Sequence, residues 1–277
     1  MTMQWHVSSD ASAQVASLAD AIAGALTRLI DAQGSACLAV SGGRSPIALF
    51  AALRVLPLRW ADVSITLVDE RAVPPEHADS NARLVREHLL QDGAAAARFF
   101  PLVLSAHVHG DSVDVDACVA TANDPFQQPD VVILGMGDDG HTASLFPDAA
   151  ELDEGIDRKH APAYLPVRPG VAPHRRISLN LSALCAARQL FLSITGPVKR
   201  TVFDEAAQGV AQRVLPVSED VMLKWRLLVE QGRKARHTFS QPDLIIAATA
   251  LHHGLTVVSR DTSDYQKACV PVLNPWT

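Results

Sequence analysis

Short aliphatic stretches alternate along this chain with stretches of helical periodicity, and each aliphatic stretch ends in a polar, glycine-bearing or acidic cluster. "ACLAV" (36–40) runs into "SGG" and then "SPIALFAAL", and "VSITLVDE" (63–70) precedes a helix start near Asp79 and Ser80. "DVVILGMG" (130–137) precedes "TASLF", and "RQLFLSITG" (188–196) precedes "PVKRTVFDEAA". Short apolar strands that alternate with helices fit a parallel sheet covered on both sides. The expected fold class is therefore α/β: a mostly parallel, Rossmann-like sheet with helices on both faces. An amphipathic helix over residues 11–32 buries Val15, Leu18, Ile22, Leu26, Leu29 and Ile30 as one stripe. Ser45 is expected to cap the helix that tolerates Pro46 in its first turn. "GAAAARFF" (93–100) reads as helix end and loop, and the proline-rich stretch 148–176 as a surface excursion.

Composition narrows the partners. A chain of 277 residues with formal charge -6 lacks the broad basic surface that nucleic-acid binding requires, so the expected ligand is small. Cys37, Cys118, Cys185 and Cys269 are scattered without a CxxC pair, which fits a reducing cytoplasm rather than a disulfide framework or zinc knuckle. The N-terminus reads as having no basic-then-apolar leader, and no stretch reads as apolar over the roughly 20 residues of a membrane span. A cytoplasmic monomer or homodimer without membrane contact is the expectation.

Ligands of open α/β sheets bind outside the carboxyl ends of the strands, so the polar clusters there carry the candidate chemistry. At the first end, Ser41, Gly42 and Gly43 lead into a helix N-terminus, where free N–H groups favour an anion; a plain tight turn has the same sequence. At the second, Asp69, Glu70, Arg71, His77, Asp79, Ser80 and Asn81 share one loop. Arg71 suits bidentate recognition of phosphate or carboxylate, whereas Asp79 could simply cap the next helix. At the third, Gly135, Gly137 and Gly140 project His141 at the expected start of a helix, whose positive end disfavours a cation and so favours a neutral, proton-accepting imidazole. Asp138 or Asp139 could orient that ring. At the fourth, Lys199 sits in the first turn of a helix, a poor place for a cation unless an anion binds nearby, and Arg176 is a second cationic candidate. A general base among cations, without metal-ligand spacing, fits water attack on a phosphorylated, acyl-type substrate.

The blocks "SGGRSP", "VDERAVPPEHADSNARLV", "LGMGDDGHTASLFP", "RISLN" and "ITGPVKR" resemble, in order and spacing, the successive signatures of the 6-phosphogluconolactonase family over residues 1–218. The resemblance implies hydrolysis of 6-phospho-glucono-1,5-lactone without metal or cofactor, His141 and an orienting aspartate such as Asp139 being catalytic. It places substrate contacts at Ser41, Gly42, Gly43, Arg44, Asp69, Arg71, Arg176 and Lys199. The related glucosamine-6-phosphate deaminases share the fold and a comparable glycine-histidine turn, so the alternative readings are a deaminase-like sugar-phosphate enzyme or an inactive sugar-phosphate-binding fusion product.

Beyond "RVLPVSED" that pattern ends. Residues 219–277, a small α/β appendage, resemble the second half of a PIN-domain nuclease down to the final "NPW". Pro242 and Asp243 open a helix, Gly254 stops it, and "LTVVS" forms a strand. Asp243 and either Asp261 or Asp264 match that family's later carboxylates, but its early acidic residues have no counterpart, so a complete metal site is not expected. His252 and His253, adjacent on a helix, are expected to point apart on the surface.

Overall fold

The computed structural model describes residues 4–8, 10–43, 45–159, 162–209, 217–235, 237–260 and 262–274. Two compact units divide the chain, Met1–Ala206 and Ala207–Thr277. In chain order the first contains α1 (Ala11–Gln33), β1 (Ala36–Val40), α2 (Ile47–Leu53), β2 (Val63–Leu67), β3 (Asp69–Arg71), α3 (Asn81–His88) and β4 (Arg98–Phe100). A hairpin of β5 (Val108–His109) and β6 (Ser112–Val113) follows, then α4 (Val115–Asn123), β7 (Val131–Leu134), α5 (Leu152–Ile156) and β8 (Tyr164–Val167). β9 (Arg176–Leu179), α6 (Leu181–Cys185) and β10 (Gln189–Leu192) follow, and α7 (Pro197–Gly209) starts in this unit and runs past Ala206.

The central sheet is parallel, in the order β10-β7-β1-β2-β4. β1 and β7 are buried at every position, so neither face is solvated at the centre and the expected fold class is the observed one. From β1 the chain moves outward through β2 to β4, then returns to the other side of β1 with β7 and β10. That reversal lies between β1 and β7, and there a crevice opens at the carboxyl ends.

α1 starts at Asp10, whose carboxylate accepts from the N–H groups of Ser12 and Ala13, and stops at Gly34, which takes the left-handed conformation at φ 85°. By length and composition α1 could cross a membrane, contrary to the sequence expectation, because its many alanines raise the mean hydropathy. Its Ile22, Leu26, Leu29 and Ile30 are buried in the core of the first unit.

Several sequence readings need correction. "VSITLVDE" is two strands: after Val68 the chain leaves the parallel sheet, and β3 pairs antiparallel with β9 in a second sheet of order β3-β9-β8. The stretch 148–176 is no mere excursion, since β8 is a largely buried strand. Its Pro166 is tolerated because β8 is an edge strand. Arg98–Phe100, read as loop, pairs with Ser64–Thr66 as the sheet's edge. Ser45 gives α2 no cap; Pro46 occupies that position without a side-chain bond. No helix forms at "TASLF".

One buried carboxylate fixes where α3 begins. Glu70 accepts from the backbone N–H groups of Arg71, Asn81 and Ala82, each at 2.7 Å, and from the Ser80 hydroxyl at 3.2 Å. Burial pushes the Glu70 carboxyl up to about 7, against the downward pull of those N–H bonds. A carboxyl whose folded value exceeds its unfolded value makes the native state the stronger proton binder. Through this group, stability therefore falls as pH rises from about 4.5 to about 7. Glu70→Gln is expected to remove that part of the slope, read from urea midpoints at pH 5 and pH 8. It should also cost about 1–3 kcal/mol at neutral pH, because its NH2 would face a donor.

The second unit has its own core of Val221, Leu228, Phe239, Leu244, Ala248 and Tyr265. It contains α8 (Glu219–Lys234), α9 (Gln241–His253), β11 (Val257–Val258), α10 (Ser263–Lys267) and β12 (Val272–Leu273). α9 opens with Pro242 in its first turn, capped by Ser240, and ends at Gly254 with φ 65°. β11 pairs parallel with β12.

Candidate active site

A cleft of about 440 Å³ opens at the carboxyl ends of β1 and β7, where the strand order reverses. After Leu134 the chain closes a tight turn in which Gly137 N–H donates to His141 O at 2.8 Å and Gly140 takes φ 86°. A side chain on Gly137 would overlap the Asp139 carboxylate and the His141 ring, so glycine is needed for those two groups to meet. They do meet: His141 Nδ1 lies 2.6 Å from Asp139 Oδ1. With Nδ1 donating to a carboxylate, Nε2 is the nitrogen left with a lone pair. Burial would raise the Asp139 carboxyl, but hydrogen bonds from the ring and backbone N–H of His141 outweigh it and hold the group below its ordinary range. Asp138 is engaged elsewhere, 3.9 Å from Lys199 Nζ. Of the two candidate carboxylates, Asp139 is the one on the imidazole.

No helix begins at Thr142, so a helix dipole does not act on His141. Side chains hold the loop instead. Ser144 N–H donates to Ser178 Oγ at 3.1 Å, Ser144 Oγ donates to Asp69 Oδ2 at 2.5 Å, and Ala143 is bent to φ 53°. This anchoring places Phe146 against His141, with ring centroids 4.2 Å apart. The His141 side chain is 23% exposed and lines the cleft.

The cleft also carries cations: Arg71, Arg176 and Lys199 line it. Arg71 and Arg176 are direct cross-strand partners in the β3–β9 ladder. Like charges so placed repel unless something neutralises them. Arg176 is 6% exposed, its Nη1 is buried without a hydrogen-bond partner, and its guanidinium lies 5.9 Å from the Phe146 ring. Burial first, then the charge of Arg71, pulls its pKa down. Two cross-strand guanidinium groups, one with an orphaned donor, have the donor geometry to bind a tetrahedral or planar anion.

Asp69 also lines the cleft. Ser41 and Gly42 do so as well, but the Ser41 N–H and hydroxyl both donate to Ile133 O, at 3.1 and 3.0 Å, tying the glycine loop to β7. Gly43 supplies the left-handed turn that follows, at φ 94°. Arg44 lies outside the described residues. Ser80, not Asp79, caps α3; Asp79 receives His174 Nε2 at 3.0 Å. Sequence reasoning gave no role to Asn81, Ser144, Phe146 or Thr195, all on the cleft wall. All four stood inside the quoted motifs, but only the fold shows what they touch.

In the second unit Asp243 accepts from the Tyr265 hydroxyl at 2.8 Å, and Asp264 pairs with His237 at 3.1 Å. Asp261 and residues 275–277 lie outside the described residues. His252 and His253 are exposed as expected, but their rings meet edge to face at 4.6 Å instead of pointing apart. Among the described residues no three His, Cys, Asp or Glu side chains gather as a metal site.

The family model for glucosamine-6-phosphate isomerases/6-phosphogluconolactonase matches residues 9–220. A 6-phosphogluconolactonase of Neisseria meningitidis serogroup A is 48% identical over 205 residues, 74% of this chain and 88% of that protein. A solved structure from Neisseria gonorrhoeae FA 1090 is similar with a TM-score of 0.72 and 49% identity, over 75% of this chain and 90% of that one. The crystal structure of a 6-phosphogluconolactonase from Shewanella baltica OS155 gives 0.64 and 39%, over 71% and 83%.

Proposed function

This chain belongs to the family of glucosamine-6-phosphate isomerases and 6-phosphogluconolactonases, and from that membership we propose that it hydrolyses 6-phospho-glucono-1,5-lactone to 6-phosphogluconate, the lactone-opening step of the oxidative pentose phosphate pathway. The observation that carries this reading is one cleft holding an imidazole–carboxylate pair, His141 and Asp139, together with the facing guanidinium groups of Arg71 and Arg176.

The chemistry follows from those positions. The arginine pair and Lys199 take the phosphate, which anchors the sugar and leaves the lactone carbonyl toward His141. Nε2 removes a proton from water as its oxygen bonds to the carbonyl carbon, and the carbonyl electron pair moves onto oxygen. As that pair returns, the bond from carbon to the ring oxygen breaks, and the imidazolium gives its proton to the departing oxygen. Asp139 keeps Nδ1–H oriented throughout and stabilises the transient imidazolium. Asp69, held by Ser144, is an acceptor suited to a sugar hydroxyl. In this reading residues 1–218 carry the whole activity without a metal. The segment 219–277 is a non-nuclease appendage whose Asp243 and Asp264 serve its own packing.

The test is acid release from freshly made lactone in a pH-stat, above the spontaneous rate. Activity unchanged by EDTA, with no ammonia released from glucosamine 6-phosphate, is expected. Ammonia release, or loss of activity on chelation, would overturn the reading.

A further inference from the structure

Asn81 joins three segments of the cleft. Its side-chain NH2 donates to the Asp69 carbonyl at 2.8 Å, and its Oδ1 accepts from Arg71 Nη1. A side chain on Gly42 would overlap its amide, so the glycine loop is shaped around this residue. Its own backbone N–H is fixed by Glu70, and it is 1% exposed. The same Nη1 of Arg71 also donates to the Asp79 carbonyl at 3.1 Å. Both of these acceptors are neutral. Arg71 is thus oriented through neutral acceptors: the nearby Asp79 carboxylate feels its charge, but among the described residues no carboxylate forms an ion pair with it.

That choice of acceptor has a chemical consequence. A carboxylate in place of the Asn81 amide would hold Arg71 as firmly, by a charge-assisted bond, but would cancel the charge that an anionic ligand needs. Its second oxygen would also face the Asp69 carbonyl. An apolar side chain would leave the charge and lose the orientation.

We propose that Asn81 is a positioning residue that sets selectivity for the phosphorylated substrate, by aiming Arg71 at the phosphate through a neutral amide and not through an ion-paired carboxylate. This rests on the lactonase reading, which supplies the phosphate.

Asn81→Asp, Asn81→Ala and the unaltered protein separate the possibilities. Two quantities are measured: binding of inorganic phosphate by calorimetry, and the ratio of kcat/KM for 6-phosphogluconolactone to that for unphosphorylated glucono-1,5-lactone. For Asn81→Asp, phosphate affinity and this ratio are each expected to fall by about 100-fold, chiefly through KM. The fall for Asn81→Ala should be smaller, about 10-fold, because Arg71 keeps its charge there. Thermal melts show whether each variant is folded. Equal losses on both lactones, or Asp and Ala variants with unchanged phosphate affinity, would overturn the proposal. If the unaltered protein opens neither lactone yet Asn81→Asp still weakens phosphate binding, the lactonase reading fails and the role of Asn81 in anion binding stands.

Discussion

His141→Asn is expected to lower kcat for lactone opening by roughly 10²–10⁴-fold, with a much smaller change in KM. Asparagine keeps a polar group of similar reach, and its NH2 can still donate to Asp139, so the turn should survive. What it lacks is a nitrogen that takes a proton from water and returns it to the ring oxygen. Two of the proposed phosphate contacts, Arg71 and Arg176, stand on a different sheet from the His141 turn, so binding should change far less than proton transfer. Initial rates must be compared with spontaneous lactone hydrolysis at the same pH, because that background sets the floor of the assay. A variant retaining more than about a tenth of the kcat would place the base elsewhere, since a positioned base contributes at least about 10²-fold.

The centre of the sheet was legible because β1 and β7 are buried on both sides and therefore read as plain aliphatic runs. "ACLAV" gives β1 residue for residue. Where a strand sits at an edge, the same logic weakens: Arg98–Phe100 and the proline-bearing β8 carry too few apolar residues, or the wrong ones, to announce themselves. "VSITLVDE" misled for another reason, since its hydropathy is continuous while its pairing switches sheets after Val68. At the site, the glycines around His141 were readable because a turn that tight excludes side chains. The loop after it was not. "TASLF" has helical propensity, and it is overridden by Ser144, which is tied to Asp69 and Ser178, residues far away in sequence. The pairing of Arg71 with Arg176 depends on the register of two antiparallel strands joined by a long connection, which no local pattern encodes.

That pairing leads to the second large effect. Arg176→Met should raise KM for the phosphorylated lactone on the order of 10²-fold, the loss of a charge-assisted bond to phosphate, while the folded chain becomes no less stable without ligand. The two results belong together. In the unliganded protein Arg176 is buried, faces the like charge of Arg71, and leaves Nη1 unpartnered. Its nearby acidic groups do not depend on it for hydrogen bonds: Asp69 has Ser144, and Glu70 has three backbone N–H groups and Ser80. Replacing a buried charge with an apolar side chain of similar length is commonly neutral or stabilising by about 1–4 kcal/mol. Methionine also keeps contact with Phe146, through its sulfur. Inorganic phosphate at about 100 times its Kd should stabilise the unaltered protein by about 2.7 kcal/mol, and Arg176→Met by far less. Urea denaturation with and without phosphate measures both quantities. A variant that is destabilised without phosphate yet still gains stability on adding it would mean that Arg176 supports the fold and that the anion binds somewhere else.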